Sequence, residues 1–494
     1  ALMIDYVLTV AVSVAAGIAA LTSALPDLLA HREALCIAAI LLVTVVNLRG
    51  VRESGQFFAV PTYIFIGTLA AMLGVGAVQI LLGHATRIEP LPSLTPTEPL
   101  TLFLLLRAFS SGCTALTGVE VISNGVSAFK KPEPKNAAFT MIGMAVILGA
   151  LFIGISAMAY YFGIVPKSDE TVVSQIARAT FGTGLLYFLV QASTMTILIL
   201  AANSSFNGFP RLASILARDS YMPHQMSMMG DRLVFSNGVI ILGVFSCLLI
   251  ILFNGDTHAL IPLYAVGVFL SFTISQAGMV KRWLVKKGPH WEKKLLVNGI
   301  GAVTTAIATV IIASTKFAHG AWIVIVLIPM LIMFFRAIRS HYKAVSEQVA
   351  LSRGHRPPMP RRNIVVLPIG GVNRAVIRAV DYARSRSGDI RAVLVDVDPE
   401  ETARVEIQWA QWGCGVPLTV LPSPYRSVLS SLLDYLEQVL QKDQECWVTV
   451  VIPEILPARW WQNILHNQRA FMLKGALLFK DRVILTDVPY HLTR

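Results

Sequence analysis

Charge is what this chain has least of. Only 14% of its 494 residues are Asp, Glu, Lys or Arg, against 55% that are hydrophobic. A soluble domain carries about 25% charged residues, so the shortfall, with a mean hydropathy of +0.64, places most of the chain in a membrane. Cysteine is scarce as well. Cys36, Cys113, Cys247, Cys414 and Cys446 are scattered, with no C-x-x-C pair and no Cys/His ligand spacing, and read as small buried residues. A nucleophile triad, a phosphate-cradling P-loop and a G-x-G-x-x-G turn are also missing, so enzyme activity and a bound cofactor are not expected. There is no initiator Met, polar leader or signal-peptide charge pattern, and residue 1 already lies in an apolar run, so the sequence reads as a fragment of a longer chain.

What is present is a succession of apolar runs. Taking about 20 residues per membrane span, about ten helices are expected, at roughly 1–25, 34–50, 57–82, 101–128, 137–163, 180–206, 236–254, 259–280, 295–315 and 319–337. The net charge of +12 does not point to nucleic acid, because the basic residues sit mostly in short loops on alternate sides of these runs. Arg49/Arg52, Lys130/Lys131/Lys135, Arg211/Arg218/Arg232, Lys281/Arg282/Lys286/Lys287/Lys293/Lys294 and Arg336/Arg339 fall on one side; Arg32, Arg87, Lys167 and Lys316 lie on the other. The richer side is cytoplasmic by the positive-inside rule, which predicts a multi-pass plasma-membrane protein whose C-terminal part is cytoplasmic. Short amphipathic pieces around 172–180 and 211–218 read as connectors.

The character changes after Ile338. Three regions follow: a transmembrane domain over 1–340, a polar linker with clustered Pro and Arg over 341–362, and a soluble α/β domain over 363–494. In the last, the apolar runs 364–369, 392–397, PLTVL, WVTVVI and RVILTDV alternate with helical stretches near 372–383, 425–441 and 457–476. Such alternation predicts a mostly parallel sheet with helices on its faces. Gly370–Gly371 after the first strand resembles a ligand-binding turn at a strand's carboxyl end.

Two carboxylates stand out. Tyr6 apart, Asp5 is the only acidic or basic side chain from Ala1 to Leu25; Cys113 apart, Glu120 is the only one from Phe109 to Phe129. A charge at the bilayer centre costs about 2.5–3.5 kcal/mol on insertion scales, so such residues face a bundle interior and serve an ion, a substrate or a proton. Asp5, Thr9 and Ser13 follow at i, i+4 and i+8, within about 80° on a helix, and Tyr6 extends the same face. A stripe of carboxylate, phenol and hydroxyl oxygens suits a desolvated hard cation; it also suits a hydrogen-bonding seam between membrane helices. Around Glu120, the segment SSGCTALTGVE gathers Gly112, Gly118 and four hydroxyl residues, the mark of a discontinuous helix with Thr117 and Glu120 as i, i+3 neighbours. Glu120 there is a cation ligand, a proton carrier or a salt-bridge partner. Tyr264 shares a face with Gly267 and Ser271 behind Pro262, either in a site or in an interfacial belt.

DYVLTVAVSVAAG (5–17), NLRGVRESG (47–55), ALTGVEVISNGV (115–126) and IPLYAVGVFLSFTISQ (261–276) together resemble the KimA-type potassium importers of the amino acid–polyamine–organocation (APC) superfamily. The resemblance implies an all-α bundle of two inverted five-helix repeats with broken first helices, of the APC/LeuT type, and a cytosolic universal-stress-like α/β domain. It places the start of this chain at the family's third helix. Carried over by position, the potassium site comprises Asp5, Tyr6, Thr9, Ser13, Thr117, Glu120 and Tyr264. The family's tail mediates homodimerisation and binds cyclic di-AMP. The expected function is therefore proton-coupled potassium import. An APC amino acid permease is the alternative, and a non-transporting membrane sensor a third reading; an amino acid would need an anion site for its carboxylate.

Overall fold

The computed structural model describes residues 1–50, 55–83, 99–116, 118, 122–123, 125–126, 129–167, 169–230, 235–350, 362–423, 427–443, 445–457 and 468–492. The chain divides into two compact units, Ala1–Ala350 and Leu351–Arg494.

In the first unit the apolar runs are helices: α1 (Leu2–Ala24), α2 (Arg32–Leu48), α3 (Gly55–Leu81), α4 (Leu102–Cys113) and α5 (Glu133–Phe162). They continue as α6 (Val172–Phe181), α7 (Leu185–Arg218), α8 (Ser236–Leu252), α9 (Thr257–Val285), α10 (Trp291–Lys316) and α11 (Ala321–Val349). Eight described helices are long and apolar enough to cross a membrane; Leu102–Leu116 and Ser236–Leu252 are shorter apolar helices.

The centre of the unit is α1 laid along α7, with α1 also touching α2, α8 and α9, and α7 touching α3, α8 and α2. Exchanging α1 with α7, α2 with α8 and α3 with α9 maps this set of contacts onto itself, so the three helices α1–α3 and the three helices α7–α9 are packed equivalently. Helices that share no aqueous driving force in lipid associate by close packing, which small residues permit. The α2–α8 pair shows this: a Cβ on Gly243 would stand 2.6 Å from the Thr44 hydroxyl oxygen, itself bonded back to Ile40 O at 2.7 Å.

Three elements differ from the sequence reading. Residues 211–218 are no separate connector but the last turns of α7, which runs straight through Pro210. Ala213, Ser214 and Ala217 are buried there, so the apolar stripe continues past the proline, and membrane helices tolerate the lost N–H. The last membrane helix, α11, extends to Val349, well past 338, through good helix formers and an i, i+4 Lys343–Glu347 pair at 3.6 Å. The expected long fourth helix ends at Cys113 and tightens into a 3-10 turn over Thr114–Leu116; most of the TGVE segment that follows lies outside the described residues.

The second unit is a five-stranded sheet of β1 (Arg362–Ile369), β2 (Asp389–Asp396), β3 (Leu418–Pro422), β4 (Cys446–Leu456) and β5 (Val483–His491), in the order β3-β2-β1-β4-β5. Every pairing is parallel, and the central strand β1 buries Ile364 to Leu367 on both faces. Helices α12 (Arg374–Arg384), α13 (Pro399–Trp412), α14 (Val428–Lys442) and α15 (Gln468–Leu477) connect the strands. The sequence reading lacked α13, whose composition is polar. Its signal was the cap: Asp398 accepts from Glu400 N at 3.1 Å, with Pro399 at the first helical position.

Candidate functional site

Asp5, Tyr6, Thr9 and Ser13 all lie on α1. Asp5 is 1% exposed and Tyr6 is buried, while Thr9 and Ser13 are half-buried. Hydroxyls in these helices commonly bond a carbonyl three or four residues back, as Ser23 does to Ala19 O at 2.7 Å and Thr194 to Val190 O at 2.7 Å. Among the described residues, the Thr9 and Ser13 hydroxyls make no such bond.

Packing brings α9 against α1, while the end of α4 packs on α10. Ile4 and Leu8, which bracket Asp5, share one apolar cluster with Cys113 at the end of α4, with Tyr264 on α9, and with Ile312 and Val324 of α10 and α11. Tyr264 is 5% exposed in this cluster, so it does not lie in a headgroup belt. Thr117 and Glu120 lie outside the described residues; the described chain reaches Leu116 from an anchor, Cys113, in that same cluster. Ser271 donates its hydroxyl hydrogen to Gly267 O at 2.9 Å.

On its other side α1 meets α7. Tyr6, Val10 and Val14 pack with Phe206, Phe209 and Ala213, and the Tyr6 ring crosses the backbone at Gly208. One turn earlier on α7, Asn203 Oδ1 accepts from Asn47 Nδ2 at 2.6 Å, tying α2 to α7.

Two polar assemblies were not legible in the sequence. At the far end of α1, about 27 Å along the helix from Asp5, a cavity of about 180 Å³ is lined by Thr22, Ser23, Arg32, Asp169, Glu170 and Asp256 among others. Beside it Tyr187 Oη donates to Ser23 O at 3.0 Å, Ser23 Oγ accepts from Thr171 N at 3.0 Å, and Ser174 Oγ donates to Glu170 Oε1 at 2.8 Å. Buried Glu170 also pairs with Arg178. These bonds pin α6 across the ends of α1 and α7; the only sequence signal was the Thr171-x-x-Ser174 cap. At the opposite end of α7, the Arg339 guanidinium stands 4.5 Å from the Tyr221 ring centroid, and the His224 and Tyr342 rings meet at a tilt of 42° with centroids 4.2 Å apart. These contacts hold the extension of α11 to the turn that follows α7.

In the second unit, Asp389 at the start of β2 accepts from Arg362 Nη2 at 2.6 Å and from Arg391 Nε and Nη2 at 3.1 Å each. Burial alone would raise its carboxyl pKa, but the two guanidinium groups outweigh that and hold it below the usual carboxylate range. The strand order reverses between β1 and β4, so Gly370 and Gly371 stand at the switch point where α/β sheets open a crevice. Neither glycine has an atom within 4 Å of a built Cβ, which leaves room beside that turn.

Comparison with known proteins covers both units. The amino acid permease family matches residues 1–335, and the KimA potassium transporter C-terminal domain family matches residues 361–490. The potassium transporter KimA of Bacillus subtilis (strain 168) is 44% identical over 493 residues, which are 99% of this chain and 81% of that protein. The Asc-type amino acid transporter 1 of Mus musculus is 23% identical over 269 residues, covering 53% of this chain and 49% of the relative, and its Rattus norvegicus counterpart matches equally.

Proposed function

The chain belongs to the KimA potassium transporter family, on an amino acid permease fold, and from that premise we propose that it is a proton-coupled potassium importer, a transporter and not an enzyme. The supporting observation is the contact of α1 with α9, which brings Tyr264 into one apolar cluster with Ile4 and Leu8, the neighbours of Asp5 on α1. The potassium site comprises Asp5, Tyr6, Thr9, Ser13, Thr117, Glu120 and Tyr264. Potassium is cargo here, and the oxygens of these side chains replace its hydration shell as it enters. The two carboxylates divide the remaining work: one balances the charge of the ion, and the other takes up the coupled proton.

The orientation follows the Lys/Arg loops, which puts the second unit in the cytoplasm of a plasma membrane. There it forms a homodimer and binds cyclic di-AMP as a regulator, in the crevice beside Gly370–Gly371. The amino acid permease reading rests on the 23% likeness to the Asc-type transporters. It requires an anion site for a substrate carboxylate, whereas the α1 stripe offers acid, phenol and hydroxyl oxygens.

Rubidium uptake into vesicles holding the protein decides between these. Potassium should compete with rubidium, sodium should compete poorly, and a panel of amino acids should not compete at all. Competition by any one amino acid, with no effect of Thr117→Ala on rubidium uptake, would transfer the case to the permease reading.

A further inference from the structure

The loop joining α9 to α10 carries far more positive charge than orientation of two helices needs. Lys281, Arg282, Lys286, Lys287, Lys293 and Lys294 fall within residues 281–294, with Glu292 as the only acid among them. The loop is an ordered hairpin. Lys286 N bonds Arg282 O at 2.7 Å, Trp291 N bonds Gly288 O at 3.2 Å, and Lys294 N bonds His290 O at 3.3 Å. His290 takes the left-handed conformation, at φ 56°, that turns the chain into α10.

Two cation–π contacts brace this hairpin. Lys294 Nζ stands 4.9 Å from the Trp283 ring centroid, bridging α10 to α9, and Lys287 Nζ stands 5.3 Å from that of Trp291. The remaining cations, Lys281, Arg282, Lys286 and Lys293, are all exposed. Immediately beside them the surface turns apolar: Leu284, Val285, Leu296, Val297 and Ile300 are each more than half exposed. Such a sharp boundary between exposed aliphatic side chains and exposed ammonium groups, with two indoles at the seam, matches the boundary between acyl chains and headgroups.

We propose that the α9–α10 hairpin is a docking surface for anionic phospholipid. The phosphate-bearing headgroup lies among Lys281, Arg282, Lys286 and Lys293, and the acyl chains run along Leu284, Leu296, Val297 and Ile300. The indoles of Trp283 and Trp291, held by their lysines, keep the hairpin in the shape that gathers these charges before lipid arrives. A zwitterionic headgroup brings no net charge to offset the cations, so the surface discriminates by headgroup.

The test reads lipid directly. Full-length protein, reconstituted in nanodiscs of equal phosphatidylglycerol and phosphatidylcholine, is stripped with detergent, and the retained lipid is quantified by mass spectrometry. The wild type should be enriched in phosphatidylglycerol. The variant Lys281→Gln/Arg282→Gln/Lys286→Gln/Lys293→Gln should lose about tenfold of that enrichment, and Lys130→Gln/Lys131→Gln/Lys135→Gln should keep it. No enrichment in the wild type, or equal enrichment in the quadruple variant, overturns the proposal. A second measurement covers failure of that variant to insert. In wild-type protein, phosphatidylglycerol with brominated acyl chains should quench the fluorescence that Trp283→Phe/Trp291→Phe removes more strongly than brominated phosphatidylcholine does. Equal quenching by both lipids also overturns it.

Discussion

The ring of Tyr6 and the backbone of Gly208 are in direct contact across the α1–α7 interface. A Cβ added to Gly208 would stand 2.6 Å from two ring carbons of Tyr6 and 2.7 Å from its phenol oxygen, closer than real Cβ atoms come. Gly208 therefore sets how near the phenol can sit to α7, and through it the position of an oxygen in the proposed site.

Gly208→Ala should force the Tyr6 ring to move, at a cost of about 1–3 kcal/mol of overpacking. The expected outcome is a lower unfolding temperature in detergent together with a higher apparent KM for rubidium. Tyr6→Phe keeps the ring and removes only the oxygen, so it should raise KM without displacing the ring. Wild-type stability and uptake in Gly208→Ala would show that the ring has room elsewhere.

Asp5→Asn and Glu120→Gln should each abolish uptake while leaving insertion intact. Asp5 is 1% exposed in an apolar helix, where an amide of the same shape fits but neither balances a cation nor carries a proton. Growth of potassium-starved cells that depend on this protein reports the loss. Normal growth with both variants would remove the two carboxylates from the mechanism.

Thr9→Ala and Thr117→Ala each delete a hydroxyl oxygen but no titrating group. Apparent affinity for rubidium should fall more than maximal rate does, which initial-rate measurements over a range of rubidium concentrations would separate. A fall in maximal rate alone would assign these threonines to the transport step instead of ion coordination.

Residues 363–494, expressed alone, should be soluble and dimeric and should release or absorb heat on titration with cyclic di-AMP. A tail shown to be folded by circular dichroism that gives no heat would remove the regulatory reading and leave transport untouched.

The stability of the α/β domain taken from Arg362 onward should depend on acid through Asp389. Its folded pKa is depressed by Arg391 and Arg362. The contribution is therefore fully present above the unfolded value of about 3.9 and is lost as pH falls through the lower folded value. Asp389→Asn should be less stable at neutral pH and show a flatter stability profile in the acid range, measured by urea unfolding at several pH values. A profile parallel to the wild type would mean the guanidinium pair acts on another group.

Properties that repeat along the chain were legible in the sequence. Apolar runs the length of a bilayer located the membrane helices, and alternation of short apolar runs with amphipathic stretches located a parallel sheet, because both are local periodicities. The spacing of Asp5, Thr9 and Ser13 was legible for the same reason: about one helical turn relates each to the next. Helix ends were less so. The run expected over 180–206 and the connector at 211–218 form one helix, because Ala213 and Ala217 continue the buried stripe beyond Pro210. A polar helix such as α13 hides in a composition that also suits a loop.

Neighbours distant in sequence were decided only by the tertiary structure. Nothing local states that Tyr264 joins Ile4 and Leu8, that Tyr187 bonds the end of α1 at Ser23, or that Arg339 covers Tyr221. Periodicity tells each helix which face to bury, but in lipid every apolar face is equally satisfied by an acyl chain. The choice of partner falls to close fit between particular side chains, a phenol against a glycine or a threonine against a glycine, and such fit exists only once both helices are in place.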